Sequence, residues 1–97
     1  MAGYERAVPR RWIEYWVADR DEYGDVVHYI WQESNKRDPG GRQAWEYFAD
    51  PGWTEGAAYR EIEKVTCRAR FDSVGNVYDR DEDYEVLATR HREEVNR

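Results

Sequence analysis

Cys67, His28 and His91 are the side chains of this chain whose chemistry lies nearest neutral pH. Cys67 alternates with Val65 and Ala69, the pattern of a core position, and a buried thiol is inert. No Ser-His-Asp arrangement, P-loop or glycine-rich phosphate loop accompanies these residues. Two histidines, one cysteine and no Cys-x-x-Cys supply no structural zinc set. The 21 acidic residues are too many to single out a glycosidase pair. The residues therefore point away from catalysis, and no cofactor or metal is expected.

Two aspartate patterns resemble calcium loops and fail as such. Asp19-x-Asp21-x-Tyr23-Gly24 has glycine at the sixth position but Ile30 at the twelfth, where a bidentate glutamate is required. Asp79-x-Asp81-x-Asp83 has Tyr84 and Arg90 at those two positions. The second belongs to the densest charge feature of the chain, Asp79, Asp81, Glu82, Asp83 and Glu85. In an extended strand alternate carboxylates stand about 6.7 Å apart, a row suited to arginines and lysines of a partner. The same row also serves as a charged edge that deters sheet-to-sheet pairing. Arg60, Lys64, Arg68 and Arg70 form an opposing basic stripe, whose expected task is to neutralise nearby carboxylates.

These residues need a scaffold, and 97 residues allow one domain with one modest core. Charged residues reach 37%, yet aromatics reach 15%, including five tryptophans. A disordered chain is poor in aromatics, so a folded domain is expected. The single cysteine excludes an intrachain disulfide, and a small secreted domain would usually carry several, so a cytoplasmic location is expected. No apolar run is long enough for a membrane span or a signal peptide.

Asp21-Glu22-Tyr23-Gly24-Asp25-Val26 and Asp72-Ser73-Val74-Gly75-Asn76-Val77 share one pattern, Asp-x-x-Gly-(Asp/Asn)-Val. Aspartate first and glycine at a left-handed position fit a type I turn closed by a bulge. Each turn joins two strands. The first pair is Arg11 to Ala18 and Val26 to Glu33, with Val17 expected opposite Tyr29 and Tyr15 opposite Trp31. The second runs from about Ile62 into the turn and resumes at Asn76, although residues 57–68 also fit a helical spacing. Simple register there sets Cys67 opposite Asp81 and Val65 opposite Asp83, which predicts a bulge or break near Arg80 to Asp83. Between the hairpins, Asp38-Pro39 predicts a helix start and Pro51 its end. That helix should run about three turns, with Ala44, Trp45 and Phe48 on one face.

The fold expected is α+β: one domain over residues 1–97, an antiparallel sheet of two hairpins with one short helix between them, β-β-α-β-β. Residues 1–10 read as an N-terminal arm and 89–97 as a polar tail or weak helix. One helix covers one side of such a sheet. On the other, simple register gathers Trp12, Trp16, His28 and Ile30, a patch of about 400–600 Å² if left open. It is either a binding or homodimer face, or it is capped by loop 34–41, loop 51–58 or the tail.

The net charge of −6 is unevenly spread. Residues 1–11 hold three arginines against one glutamate, and 90–97 three arginines against two glutamates, which leaves −9 for the body between. That balance opposes direct contact with nucleic acid or an anionic membrane and favours a protein partner with a basic surface. The function expected is a non-enzymatic inhibitor that occupies a basic, nucleic-acid-handling protein, as small acidic phage anti-defence and anti-CRISPR proteins do. It would act in the host cytoplasm if phage-encoded. A toxin-neutralising immunity protein is the alternative, and a small RNA-binding module a third.

Overall fold

The computed structural model of the chain describes residues 6–93. Four strands, β1 (Val8–Arg20), β2 (Val26–Ser34), β3 (Tyr59–Phe71) and β4 (Val77–His91), form one antiparallel sheet in the order β2-β1-β3-β4. A short helix, α1 (Arg42–Phe48), lies between the hairpins. The α+β architecture is the expected one. Of residues 57–68, those from Tyr59 onward are strand rather than helix, so β3 begins three residues before the expected Ile62.

Both turns close as their sequence dictates. Asp21 Oδ1 accepts the backbone N–H groups of Tyr23 and Asp25, and Asp72 Oδ1 accepts those of Val74 and Asn76. Gly24 and Gly75 then adopt φ of 88° and 90°, which a Cβ would penalise. The aspartate of each turn thus accepts from residues within four positions of it.

β1 and β3 pair at thirteen consecutive positions, from Val8 opposite Phe71 to Arg20 opposite Tyr59, with no irregularity. They are the central strands. Trp16, Val17 and Ala18 are consecutive and all buried, because both faces of the sheet are packed at that point. The outer strands absorb every irregularity.

Along β2 the register begins as expected, with Arg20 opposite Val26, and then slips twice. Val17 therefore meets Trp31 rather than Tyr29, and Tyr15 meets Glu33 rather than Trp31. Aromatic packing accounts for the slips. Tyr29 sits edge-on to Trp16, while Trp31 stacks on Tyr47 of α1 with ring centroids 4.8 Å apart. Along β4 a bulge falls at Asp79 and Arg80, at the near end of the expected range, between Tyr78 opposite Arg70 and Asp81 opposite Arg68; Asp79 adopts φ of 52° there. It sets Cys67 opposite Glu82 and Val65 opposite Tyr84, so Asp81 and Asp83 leave the apolar side.

The ends differ from expectation. Residues 8–10 of the expected arm belong to β1, and 89–91 of the expected tail belong to β4, where Arg90 pairs with Arg60. Residues 1–5 and 94–97 lie outside the described range. The helix is also shorter than three turns. Gly40 and Gly41 take left-handed φ of 68° and 70°, so a turn at Pro39–Gly41 breaks from the seven residues of α1. Asp38 still caps α1 across that break: its carboxylate accepts N–H from Gln43 and Ala44, and the indole N–H of Trp31. Ala44 and Phe48 face the sheet, whereas Trp45 sits on the flank and is 41% exposed, against expectation.

Helix α1 covers one end of one face, over Val17 and Ile62, together with Tyr15, Ile30, Trp31 and Ala88. We call this the helix side. Strand alternation places Trp12, Glu14, Trp16, Glu63, Val65, Cys67 and Tyr84 on the other face, the open side. Among the described residues, no helix is long and apolar enough to cross a membrane.

Candidate functional site

The residues of the acidic run separate by strand alternation once the β4 bulge has reset their parity. Asp81, Asp83 and Glu85 stand on the helix side, opposite Arg68, Thr66 and Lys64. Arg68 Nη2 donates to Asp81 at 3.0 Å and to Asp83 at 2.5 Å. Both carboxylate side chains remain about two-thirds exposed. Two anions share one cation there, so the pair keeps a net negative charge. Asp79 is exposed at the bulge. Glu82 points to the open side instead, where it accepts from Arg80 and from the hydroxyl of Tyr84. The Tyr84 bond is foremost in holding the Glu82 carboxyl below its ordinary value; burial opposes it and Arg80 assists.

Trp12 and Trp16 do share the open side. Their indole N–H groups both donate to Glu14, at 2.6 and 2.7 Å. Trp16 covers Val65 and Cys67, with Trp12 packed beside it. Tyr29 and Tyr84 stand edge-on to Trp16, at centroid distances of 5.5 and 5.6 Å. Trp16 is thus only 6% exposed although, among the described residues, neither loop 34–41 nor loop 51–58 lies over it. Loop 34–41 is tied to the helix side through Asp38 and Trp31, and loop 51–58 through Trp53 and Arg60. The large apolar residues exposed on the open side, among the described residues, include Val8, Tyr29, Val77, Tyr84 and Val86.

His28 and Ile30 are not part of that surface. The slips of β2 set His28 opposite Asp19 and pack the half-buried Ile30 against the cluster of Val17, Ala44 and Ile62. Tyr29, which sequence alternation puts on the other face, takes their place. The local pattern of apolar residues does not show these slips.

Cys67 is fully buried, and burial, followed by the neighbouring Glu14 carboxylate, pushes its thiol up to about 11. His91 lies against the Tyr59 ring, eight β3 positions from Cys67. Among the described residues no group of three or more His, Cys, Asp or Glu side chains is placed to hold a metal ion.

Two buried ionic arrangements escape the sequence. Asp19, read in a failed calcium pattern, and Arg60, read in a basic stripe, form a fully buried pair on the helix side. Arg60 donates twice to Asp19, and to the carbonyls of Tyr47, Asp50 and Gly52, so all five of its N–H groups are used. Thr54 N–H completes Asp19. Burial raises the Asp19 carboxyl, but the hydrogen bonds from Arg60 and Thr54 outweigh it and hold the group below its ordinary value. On the open side Glu63 is 4% exposed, its Oε1 has no partner, and burial raises its carboxyl. Arg20 lies 3.6 Å from Glu63 and 2.8 Å from Glu61, one cation between two anions.

Comparison with protein-family models, with curated proteins and with solved structures finds no match to the chain.

Proposed function

We propose that the chain is a non-enzymatic binding protein that occupies the basic surface of a protein partner, acting as an inhibitor of a nucleic-acid-handling protein in the cytoplasm. The observation that carries this reading is the sharing of one guanidinium by Asp81 and Asp83 on an exposed edge strand. Arg68 holds the two carboxylates in place without cancelling them. Asp79 and Glu85 extend the row to either side. A pre-positioned anionic row speeds association with a cationic surface and sets its register.

The test is capture of partners from a host lysate by the immobilised chain, at low and at high salt. The combination Asp79→Asn, Asp81→Ala and Asp83→Ala should abolish salt-sensitive capture. Asparagine is used at position 79 because it tolerates the left-handed conformation found there. Equal capture by wild type and variant at low salt overturns the reading.

A further inference from the structure

We propose that β4 is a dimerisation edge: it pairs antiparallel with β4 of a second copy of this chain and joins two four-stranded sheets into one of eight. The strand runs from Val77 to His91 at the margin of the sheet. Among the described residues it pairs with β3 alone, so its outer backbone N–H and C=O groups face no strand. The other margin, β2, is nine residues long and slips twice against β1, which blunts it as an edge. β4 is longer, and from Asp81 to His91 its ladder is interrupted once, at Leu87. Tyr84 and Val86 stand on that stretch 54% and 49% exposed.

The charges along the edge select the occupant. Read forward, β4 carries Arg80, Asp81, Glu82 and Asp83. Read backward from the far end, the chain carries Glu93, Arg92, His91 and Arg90. The two series are opposite in sign at every place, with His91 a cation in its protonated form. An antiparallel copy presents the second series to the first. A two-fold axis through Val86, with Leu87 the extra residue it already is against β3, sets Val86 against its own equivalent. Tyr84 then meets Thr89 of the second copy, Asp83 meets Arg90, Glu82 meets His91 and Asp81 meets Arg92. Antiparallel partners must share a face, and they do: Asp83 and Arg90 lie on the helix side, Glu82 and His91 on the open side.

The groups concerned keep charge to give. Arg68 holds Asp81 and Asp83, yet both side chains remain about two-thirds exposed, and a carboxylate accepts from more than one cation. Arg90 spends Nη1 on the Phe48 carbonyl and lies 4.6 Å over Trp53, which fixes its charge beside the edge without cancelling it. Arg92 is exposed and reaches the Ala57 carbonyl at 3.4 Å. Neither arginine forms an ion pair among the described residues. Other pairings meet like charge. A parallel copy would set Asp81, Glu82 and Asp83 beside their own equivalents. An antiparallel copy moved by two residues would set Glu82 against Glu93, or Arg80 against His91. The charged edge thus deters the wrong partners and admits one register.

This dimer goes beyond the binding role of the acidic row and does not rest on it. Self-association is read on the isolated chain, and R92D changes the dimer contact while leaving every carboxylate of the row in place. The test is sedimentation of the full chain from about 5 to about 500 μM, at about 50 mM and about 500 mM salt. A dimer should form at low salt and weaken at high salt, and exchange of the β4 amides should slow as concentration rises. R92D and D81R should each weaken it about tenfold, and the two together should restore it. V86K, which sets two lysines against each other at the axis, should give a folded monomer. A wild-type monomer throughout that range overturns the proposal. So does a dimer that R92D and V86K leave undiminished. A dimer that Y29K dissolves and R92D does not would lie face to face through the open side, which overturns it as well.

Discussion

Arg60 and Arg68 lie on the same strand and the same face, and each meets aspartate, yet the two ends of that face put them to opposite uses. At the covered end Arg60 is buried, pairs with Asp19, and gives its remaining donors to three carbonyls around the end of α1 and the loop that follows. Trp53 lies within 4.7 Å of Arg60 and 4.6 Å of Arg90, which fastens the loop over the pair. At the open end Arg68 is 40% exposed and spends one nitrogen on two carboxylates. What separates the two is a layer of helix and loop. A desolvated guanidinium must satisfy every donor within the protein, whereas a solvated one keeps donors for other molecules.

The largest effect should come from breaking the covered pair. Arg60→Met should cost about 3–5 kcal/mol, since it strands a buried aspartate and three carbonyls. That is a large share of the ~5–10 kcal/mol expected of a domain this size. Urea unfolding measures it, and a loss no greater than that of Arg68→Met would erase the contrast. Arg68→Met should leave the unfolding midpoint within error and alter only association.

Acid should act on the covered end in the same sense. The Asp19 carboxyl is lowered, so its contribution is present above its ordinary value of 3.8 and fades as pH falls through the folded-state value. The stability difference between wild type and Asp19→Asn should therefore shrink on acidification. A difference independent of pH would show that the charge on Asp19 is not what matters.

The turns give the next effect. Gly75→Val should destabilise by about 1–3 kcal/mol and Gly75→Asn by much less. Gly24, at φ of 88°, should rank its substitutions alike. Equal losses for valine and asparagine at both positions would contradict the turn assignment.

Glu63 should give the smallest effect, of opposite sign. Its carboxyl is raised, so the folded state holds the proton more tightly than the unfolded state above the ordinary value of 4.5, and ionisation at higher pH subtracts stability. Glu63→Gln should thus raise Tm at neutral pH and leave it unchanged below that value. A lowered Tm at neutral pH would mean that the pairing of Glu63 with Arg20 outweighs its desolvation.

The turns and central strands were legible because their causes are local. Asp72 bonds to Val74 and Asn76, two and four residues away, so Asp-x-x-Gly carries its whole explanation in a handful of residues. Alternation of Val65, Cys67 and Ala69 likewise marks a strand wherever it occurs, and carboxylates falling on that side demanded the β4 bulge. Asp38 could be read as a helix cap from Asp-Pro, but the two left-handed glycines that shorten α1 could not, since Gly41 is required by the ring of Tyr15, which would lie 2.6 Å from a Cβ. The Trp12 and Trp16 pairing was legible for the same reason as the strands. Its neighbours were not, because the slips of β2 follow from how Tyr29 and Trp31 pack against rings far away in the chain. The acidic run was visible as composition, yet which carboxylates share a face depends on the bulge at Asp79. Asp19 and Arg60 are 41 residues apart, and nothing in either neighbourhood distinguishes Arg60 from Arg68. Sequence determined the elements, through contacts a few residues long. The tertiary structure alone decided which arginine became part of the core and which remained at the surface, because burial is a property of what packs above a residue and not of the residue itself.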